Sequence, residues 1–258
     1  MATKVIINAD DFGYSRAVNF GIIDSHLNGV LTSATLMANM PGFEHAVELA
    51  KANPKFGVGV HMVLTCERPL LDTHTQIVDE TGAFCRQPKY RDGSISMSDK
   101  LLQEIELEWT AQIEKVLAAG IMPTHLDSHH HMHLQFAETT EIAVKLSRKY
   151  KLPLRVFLRE VPADIIKVET FEEKFDNIGE EAMSAEEVLV YYSNVLEKIK
   201  TTGSIEIMTH PAYLDEQVVK GSSLNLARIY EVSALCTSSF SEAIKNDPSI
   251  ILSTYRDL

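Results

Sequence analysis

Seven short runs rich in aliphatic and β-branched residues recur along this chain, and stretches with apolar residues at helical spacing separate most of them. The runs are Val5–Ala9, Ser33–Met37, Gly57–Met62, Pro123–Asp127, Leu154–Leu158, Ile205–Thr209 and Ile250–Thr254. The helical stretches are Arg16–Leu27, Phe43–Ala52, Asp99–Ala119, Glu138–Tyr150 and Ala185–Lys200. Leu101, Ile105, Trp109, Ile113 and Val116 step by three or four, which sets them on one face. Ser98 stands as an N-cap, Gly120 as a stop, and Ser184-x-x-Glu187 as a capping box. Strands alternating with helices predict an α/β fold of parallel β/α units. Two segments interrupt the rhythm, Cys66 to Ser98 and Val161 to Met183. They are expected to lie over the active face, where long loops carry function, rather than to link domains.

In β/α folds the reactive groups collect at the C-terminal ends of the strands. Asp10 and Asp11 follow VIINA, His61 ends GVGV, His125 and Asp127 end PTHLD, and His210 ends IEIMT, so four strand ends are predicted to share one rim. Adjacent carboxylates repel each other and call for a compensating charge. A turn or N-cap accounts for one of the two Asp residues well and for both poorly. The Asp11–Gly13 sequence DFG matches the kinase metal loop only in letters, because no nucleotide lobe fits before it.

The densest feature is THLDSHHHMH, residues 124–133, with His125, His129, His130, His131 and His133. Imidazoles four apart can face one ion if the segment turns helical, and one or two of the five can reach it. His61 and His210, each taken alone, read more readily as hydrogen-bonded core histidines than as site residues. One carboxylate with two imidazoles makes an oxygen/nitrogen site with open positions, suited to a divalent Lewis acid. The second carboxylate, Asp10, is then free to act as a base, and His210, with an ordinary pKa near neutrality, as the acid. Phe12, Tyr14 and Tyr213 are candidate sugar-stacking aromatics, with core packing as the alternative.

At 258 residues the chain can bury a large core as one α/β domain or two small ones. Its 36 acidic against 24 basic side chains, a formal charge of -12, argue against nucleic acid and anionic membranes as partners. Cys66, Cys85 and Cys236 form no Cys-x-x-Cys pair and are expected to be free thiols. The start MATKVIINADD lacks an apolar signal region, and no window approaches the roughly 18 apolar residues of a spanning helix, so a cytoplasmic location is expected. A homodimer is left open.

Five blocks, NADDFGYS at 8–15, GIIDSHLNGVLTSATLMANM at 21–40, GVGVHMVLT at 57–65, THLDSHHHMH at 124–133 and IEIMTHPAYLD at 205–215, resemble the YdjC-like carbohydrate deacetylases, most closely the chitooligosaccharide deacetylase branch. The resemblance runs nearly end to end. It implies a single-domain distorted (β/α) barrel over residues 1–258, with about seven mostly parallel strands and the active site at their C-terminal ends. It also implies release of acetate from N-acetylglucosamine-containing oligosaccharides with a divalent ion, usually Mg2+, Zn2+ or another transition metal being alternatives. The implied ligands are Asp11, His61 and His125. Analogy with the NodB-type polysaccharide deacetylases makes Asp10 the base and His210 the acid, and leaves His129 and Asp127 as substrate or outer-sphere contacts. His129 matches loosely the second His of the NodB His-x3-His element. The two interrupting loops match no familiar pattern. The rival readings are a metal-dependent phosphoesterase or sugar isomerase on a similar barrel, against which stands the lack of a Gly-rich phosphate cradle, and a metal-bound sugar sensor without turnover.

Overall fold

Parallel strands need crossovers long enough to return the chain to the same edge, and helices supply them here. The computed structural model describes residues 2–173, 175 and 184–258. Seven strands are seen among these: β1 (Thr3–Phe12), β2 (Ser33–Leu36), β3 (Gly57–Met62), β4 (Leu126–Ser128), β5 (Thr170–Glu172), β6 (Ser204–Thr209) and β7 (Ile250–Leu252). Their order is β4-β3-β2-β1-β6-β5, with β7 on the first residues of β1, and every pairing is parallel. The sheet curls into a distorted half-barrel, as the sequence leads one to expect.

The central strand β1 explains the layering. Both of its faces are covered, so Val5, Ile6 and Ile7 are all fully buried and read as one apolar run. Val5, Ile7 and Ala9 join the main apolar core, whereas Ile6 packs with Val168 and Tyr255. Alternation therefore places Ile6, Asn8 and Asp10 in one column.

Helices α1 (Arg16–Asn28), α2 (Phe43–Ala52), α3 (Gln87–Arg91), α4 (Asp99–Ala118), α5 (Met132–Gln135), α6 (Ala137–Tyr150), α7 (Ala185–Lys200), α8 (Glu216–Gly221), α9 (Leu226–Thr237) and α10 (Ser239–Asn246) cover the sheet and its ends. The Trp109 face of α4 is buried from Leu101 to Val116. Ser98 Oγ accepts from Leu101 N, Gly120 adopts φ +80°, and the Ser184/Glu187 box is formed. Cys66, Cys85 and Cys236 are free thiols. No helix among the described residues is long and apolar enough to cross a membrane.

Two expectations need correction. Leu154–Leu158 is not a strand. Leu154 only bridges Leu126, because Pro153 has no N–H and Leu154 N donates to Ile166 O. The seventh strand is instead β5, which lies inside the segment read as an insertion. Residues 174 and 176–183 of that segment lie outside the described residues.

Candidate metal centre

Neighbouring residues of a regular strand point to opposite faces, so Asp10 and Asp11 need a local break to act together. β1 supplies it. Its register against β2 slips between Ala9 and Phe12, and Asp11 adopts φ +67°. This bulge carries one extra residue and lets both carboxylates line one cleft of about 280 Å³, together with His61, His129, His210 and Arg228. The left-handed φ of a non-glycine residue is strain stored at the site. A larger hollow of about 680 Å³ between α6 and residues 158–162 contains none of these groups.

His61 is the penultimate residue of β3, where it pairs in register with Asp127 of β4. Its Nδ1 lies 2.7 Å from Asp127 Oδ1, and a carboxylate only accepts, so Nδ1 carries the proton. Thr35 Oγ1 donates to the other Asp127 oxygen at 3.0 Å. Nε2 is thereby turned toward Asp11 Oδ1, 3.5 Å away, the orientation in which a neutral ring would present its lone pair to a metal ion. His129 brings Nδ1 to 3.0 Å from the same oxygen. One donor atom from each of the three residues falls within 4.8 Å of the other two. Asp11 Oδ1 is buried and has no hydrogen-bond partner, which is what an oxygen awaiting a cation requires.

The charges agree. Burial alone would lower the His61 pKa, yet Asp127 and Asp10 push it up to about 9. Burial acts the same way on His129 and is outweighed by Cys66 and Asp11, so that its pKa also rises. The cluster demands positive charge, and a divalent ion would supply it without the protons. Burial works against ionisation of Asp11, but Arg228 and His129 hold it well below the usual carboxylate range.

His125 is not brought to this cluster, contrary to the ligand set implied by the resemblance. It precedes Asp127 by two residues on an extended backbone, about 6–7 Å lower in the barrel. There its ring stacks on Tyr255 with centroids 3.9 Å apart, over Gly59, where a Cβ would come within 2.6 Å of the imidazole. The helical turn that would align His125 with His129 does not form. His130 and His131 instead take left-handed φ of 55° and 52°, which reverses the chain and leaves His129 facing Asp11. His130 Nδ1 meets Thr65 Oγ1 at 2.9 Å, His131 sets its edge against Phe157, and His133 bridges Ser128 Oγ and the Arg155 carbonyl.

Asp10 has a different partner. Fully buried Arg155 donates to both of its oxygens at 2.7 and 2.8 Å, and also reaches Asp127 and Glu206. Burial pushes the Asp10 pKa up, and Arg155 more than reverses that, holding the carboxylate ionised. Glu206 also accepts from the Tyr255 hydroxyl, so the C-terminal segment props Arg155 from below. His210 faces the same cleft. Its backbone N–H donates to buried Glu231, and burial pushes its imidazole down to about 4 against Asp10 and Asp11. Of the aromatics, Phe12 and Tyr14 are buried in the core, and Tyr213 is exposed with its hydroxyl on Asp24.

Arg155, Arg228 and Glu231 were not anticipated. The signal for Arg155 was present as a charged residue inside the apolar run Leu154–Leu158. No comparable signal marks the other two.

The sequence model described as YdjC-like protein matches residues 4–246. A carbohydrate deacetylase of Brevibacillus brevis is 40% identical over 99% of both chains. Another, of Geobacillus stearothermophilus, is 38% identical over 100% of this chain and 98% of its own. Among solved structures, an Enterococcus faecalis V583 protein described provisionally as a cellobiose-phosphate cleavage protein superposes with a TM-score of 0.86 at 32% identity, covering 100% of this chain and 99% of that one.

Proposed function

The chain belongs to the YdjC-like protein family, and from that membership we propose that it is a metal-dependent carbohydrate deacetylase, hydrolysing the N-acetyl group of N-acetylglucosamine-containing oligosaccharides such as chitobiose and longer chitooligosaccharides. The observation that carries this reading is the convergence of Asp11 Oδ1, His61 Nε2 and His129 Nδ1 beside a second carboxylate clamped by an arginine. Asp11, His61 and His129 are the ligands in this reading, with His129 in the place first given to His125. Mg2+ is the first expectation, and two imidazoles also admit Zn2+ or another transition metal. When bound by these three residues, a divalent ion would supply Lewis acidity toward the amide carbonyl and the water.

The chain's own groups divide the remaining work. Arg155 keeps Asp10 ionised and fixed, at the cost of weak basicity, which an acidified water offsets. Asp10 takes the proton of the attacking water. His210 gives a proton to the leaving nitrogen. Since burial keeps His210 neutral at rest, the proton it donates is the one Asp10 takes from water, handed across the shared cleft from the Asp10 carboxyl to the imidazole and from there to the nitrogen, which leaves both groups as they began. One water is consumed, the C–N bond breaks, and acetate and a free amine result.

The test is incubation of metal-reconstituted protein with N-acetylglucosamine, diacetylchitobiose, longer chitooligosaccharides and a panel of sugar phosphates, reading product masses, acetate and phosphate. Acetate release is expected. Asp10→Asn should retain the metal and lose about 10²–10⁴-fold in turnover. Release of phosphate in place of acetate, or no acetate from any N-acetylated sugar with any divalent ion, would sink the reading.

A further inference from the structure

Each carboxylate of the Asp10–Asp11 pair has its own arginine. Arg155 covers both oxygens of Asp10, whereas Arg228 touches one oxygen of Asp11 only. Arg228 is 2% exposed and sits in the first turn of α9. Its Nη2 donates to Asp11 Oδ2 at 2.6 Å, and its Nε is fixed by the Leu224 carbonyl at 2.9 Å. Asp11 Oδ1 is left without a hydrogen bond, and it is the oxygen on which His61 and His129 converge. The two oxygens of one carboxylate are thus assigned different tasks. Three residues further along α9, Glu231 accepts from the His210 backbone, so the same helix holds both sides of the cleft.

We propose that Arg228 is a positioning residue of the metal centre, which confines Asp11 to ligation through a single oxygen and keeps the bound ion weakly held and strongly electrophilic. The proposal rests on the deacetylase reading above. A carboxylate that shares its charge with a guanidinium donates less electron density to a cation, and the guanidinium itself repels that cation. An Asp11 released from Arg228 could swing both oxygens toward the ion, fill a position that substrate or water needs, and bind more tightly while catalysing less well.

The signs make the test selective, since a residue that merely supports the fold loses affinity and activity together. In full-length Arg228→Gln, with thermal unfolding as the check on folding, Mn2+ or Mg2+ affinity by titration calorimetry should rise about tenfold through lost repulsion. In the same variant kcat on diacetylchitobiose should fall about tenfold or more with KM little changed. Arg228→Lys keeps the charge and loses the two-point grip, so its ion affinity should stay near that of the unmodified protein with kcat in between. Should Arg228→Gln fail to fold, the Lys variant decides, and a large loss of ion affinity there overturns the proposal. Unchanged or weakened affinity in folded Arg228→Gln also overturns it, leaving the deacetylase reading in place. Unmodified protein that binds no divalent ion overturns both.

Discussion

A single proton fixes the direction of His61. Asp127 accepts a hydrogen bond from Nδ1–H, so the neutral ring that a metal ion requires carries its lone pair on Nε2. His129 and His125 then differ by position rather than chemistry, one at the rim and one a layer below against Tyr255. His129→Ala should therefore empty the site as measured by elemental analysis. His125→Ala should retain the metal and lower stability by about 2–5 kcal/mol, the range for a large buried side chain cut back to Ala in a packed interior. The opposite pattern would restore His125 as the ligand. Much of this site could be read from residues alone, because Asp10, Asp11, His61, Asp127 and His210 are polar groups that end apolar runs, and that contrast survives in one dimension. The choice between His125 and His129 could not, since a spacing of four has one meaning on a helix and another across a strand end and two left-handed residues. Asp11 was visible as a residue, but the bulge that turns it beside Asp10 was not.

At the scale of elements, helix α4 does more than cover the sheet. Glu104, Glu108 and Gln112 repeat every four residues and are all buried, which a hydropathy pattern reads as a solvated stripe. Glu104 accepts the backbone N–H groups of Thr75, Gln76 and Ile77, and Glu108 those of Leu70 and Leu71. The stripe anchors the loop that leads to Gln87 and Arg91 on the cleft. Glu108→Ala leaves two backbone donors unpaired, at about 1–3 kcal/mol for each one that stays buried. It should open residues 66–76 to limited proteolysis and raise KM more than it lowers kcat. An unchanged cleavage pattern would deny the anchoring role. Helix α9 hid itself in a similar way. Leu226, Ile229 and Tyr230 are exposed while Arg228 and Glu231 are buried beside Ala227, Val232, Ala234 and Leu235, so its inward face mixes two charges with small and apolar residues. Strands β1, β2, β3 and β6 and helices α1, α2, α4, α6 and α7 were legible because packing and pattern agree in them, whereas three-residue β5 carries too little sequence to show a period.

The molecule as a whole spreads the titration of its buried groups over a wide range of pH, and this shapes its response to acid and base. His61, pushed up to about 9, contributes stability to the metal-free protein that is fully present below its ordinary pKa near 6.5 and is lost as pH rises through 9. Asp10 and Asp11, held low, contribute stability present above their ordinary value of 3.8 and lost only in stronger acid. Between these limits lie buried rings that stay neutral. His133 is the cleanest, with burial pushing it down to about 4 and both nitrogens engaged, by Ser128 Oγ and by the Arg155 carbonyl. Unfolded, it binds a proton near pH 6.5, so between that pH and 4 the unfolded chain holds more protons and stability falls as pH falls. A depression of this size corresponds to about 3 kcal/mol. Thermal unfolding of the metal-free protein at pH 7 and pH 4.5 should thus show a large drop. His133→Gln, which can still bridge Ser128 and the Arg155 carbonyl, should be less stable at pH 7 yet lose clearly less on acidification. Parallel losses in the two proteins would mean that His133 is not the group whose protonation destabilises the fold in acid.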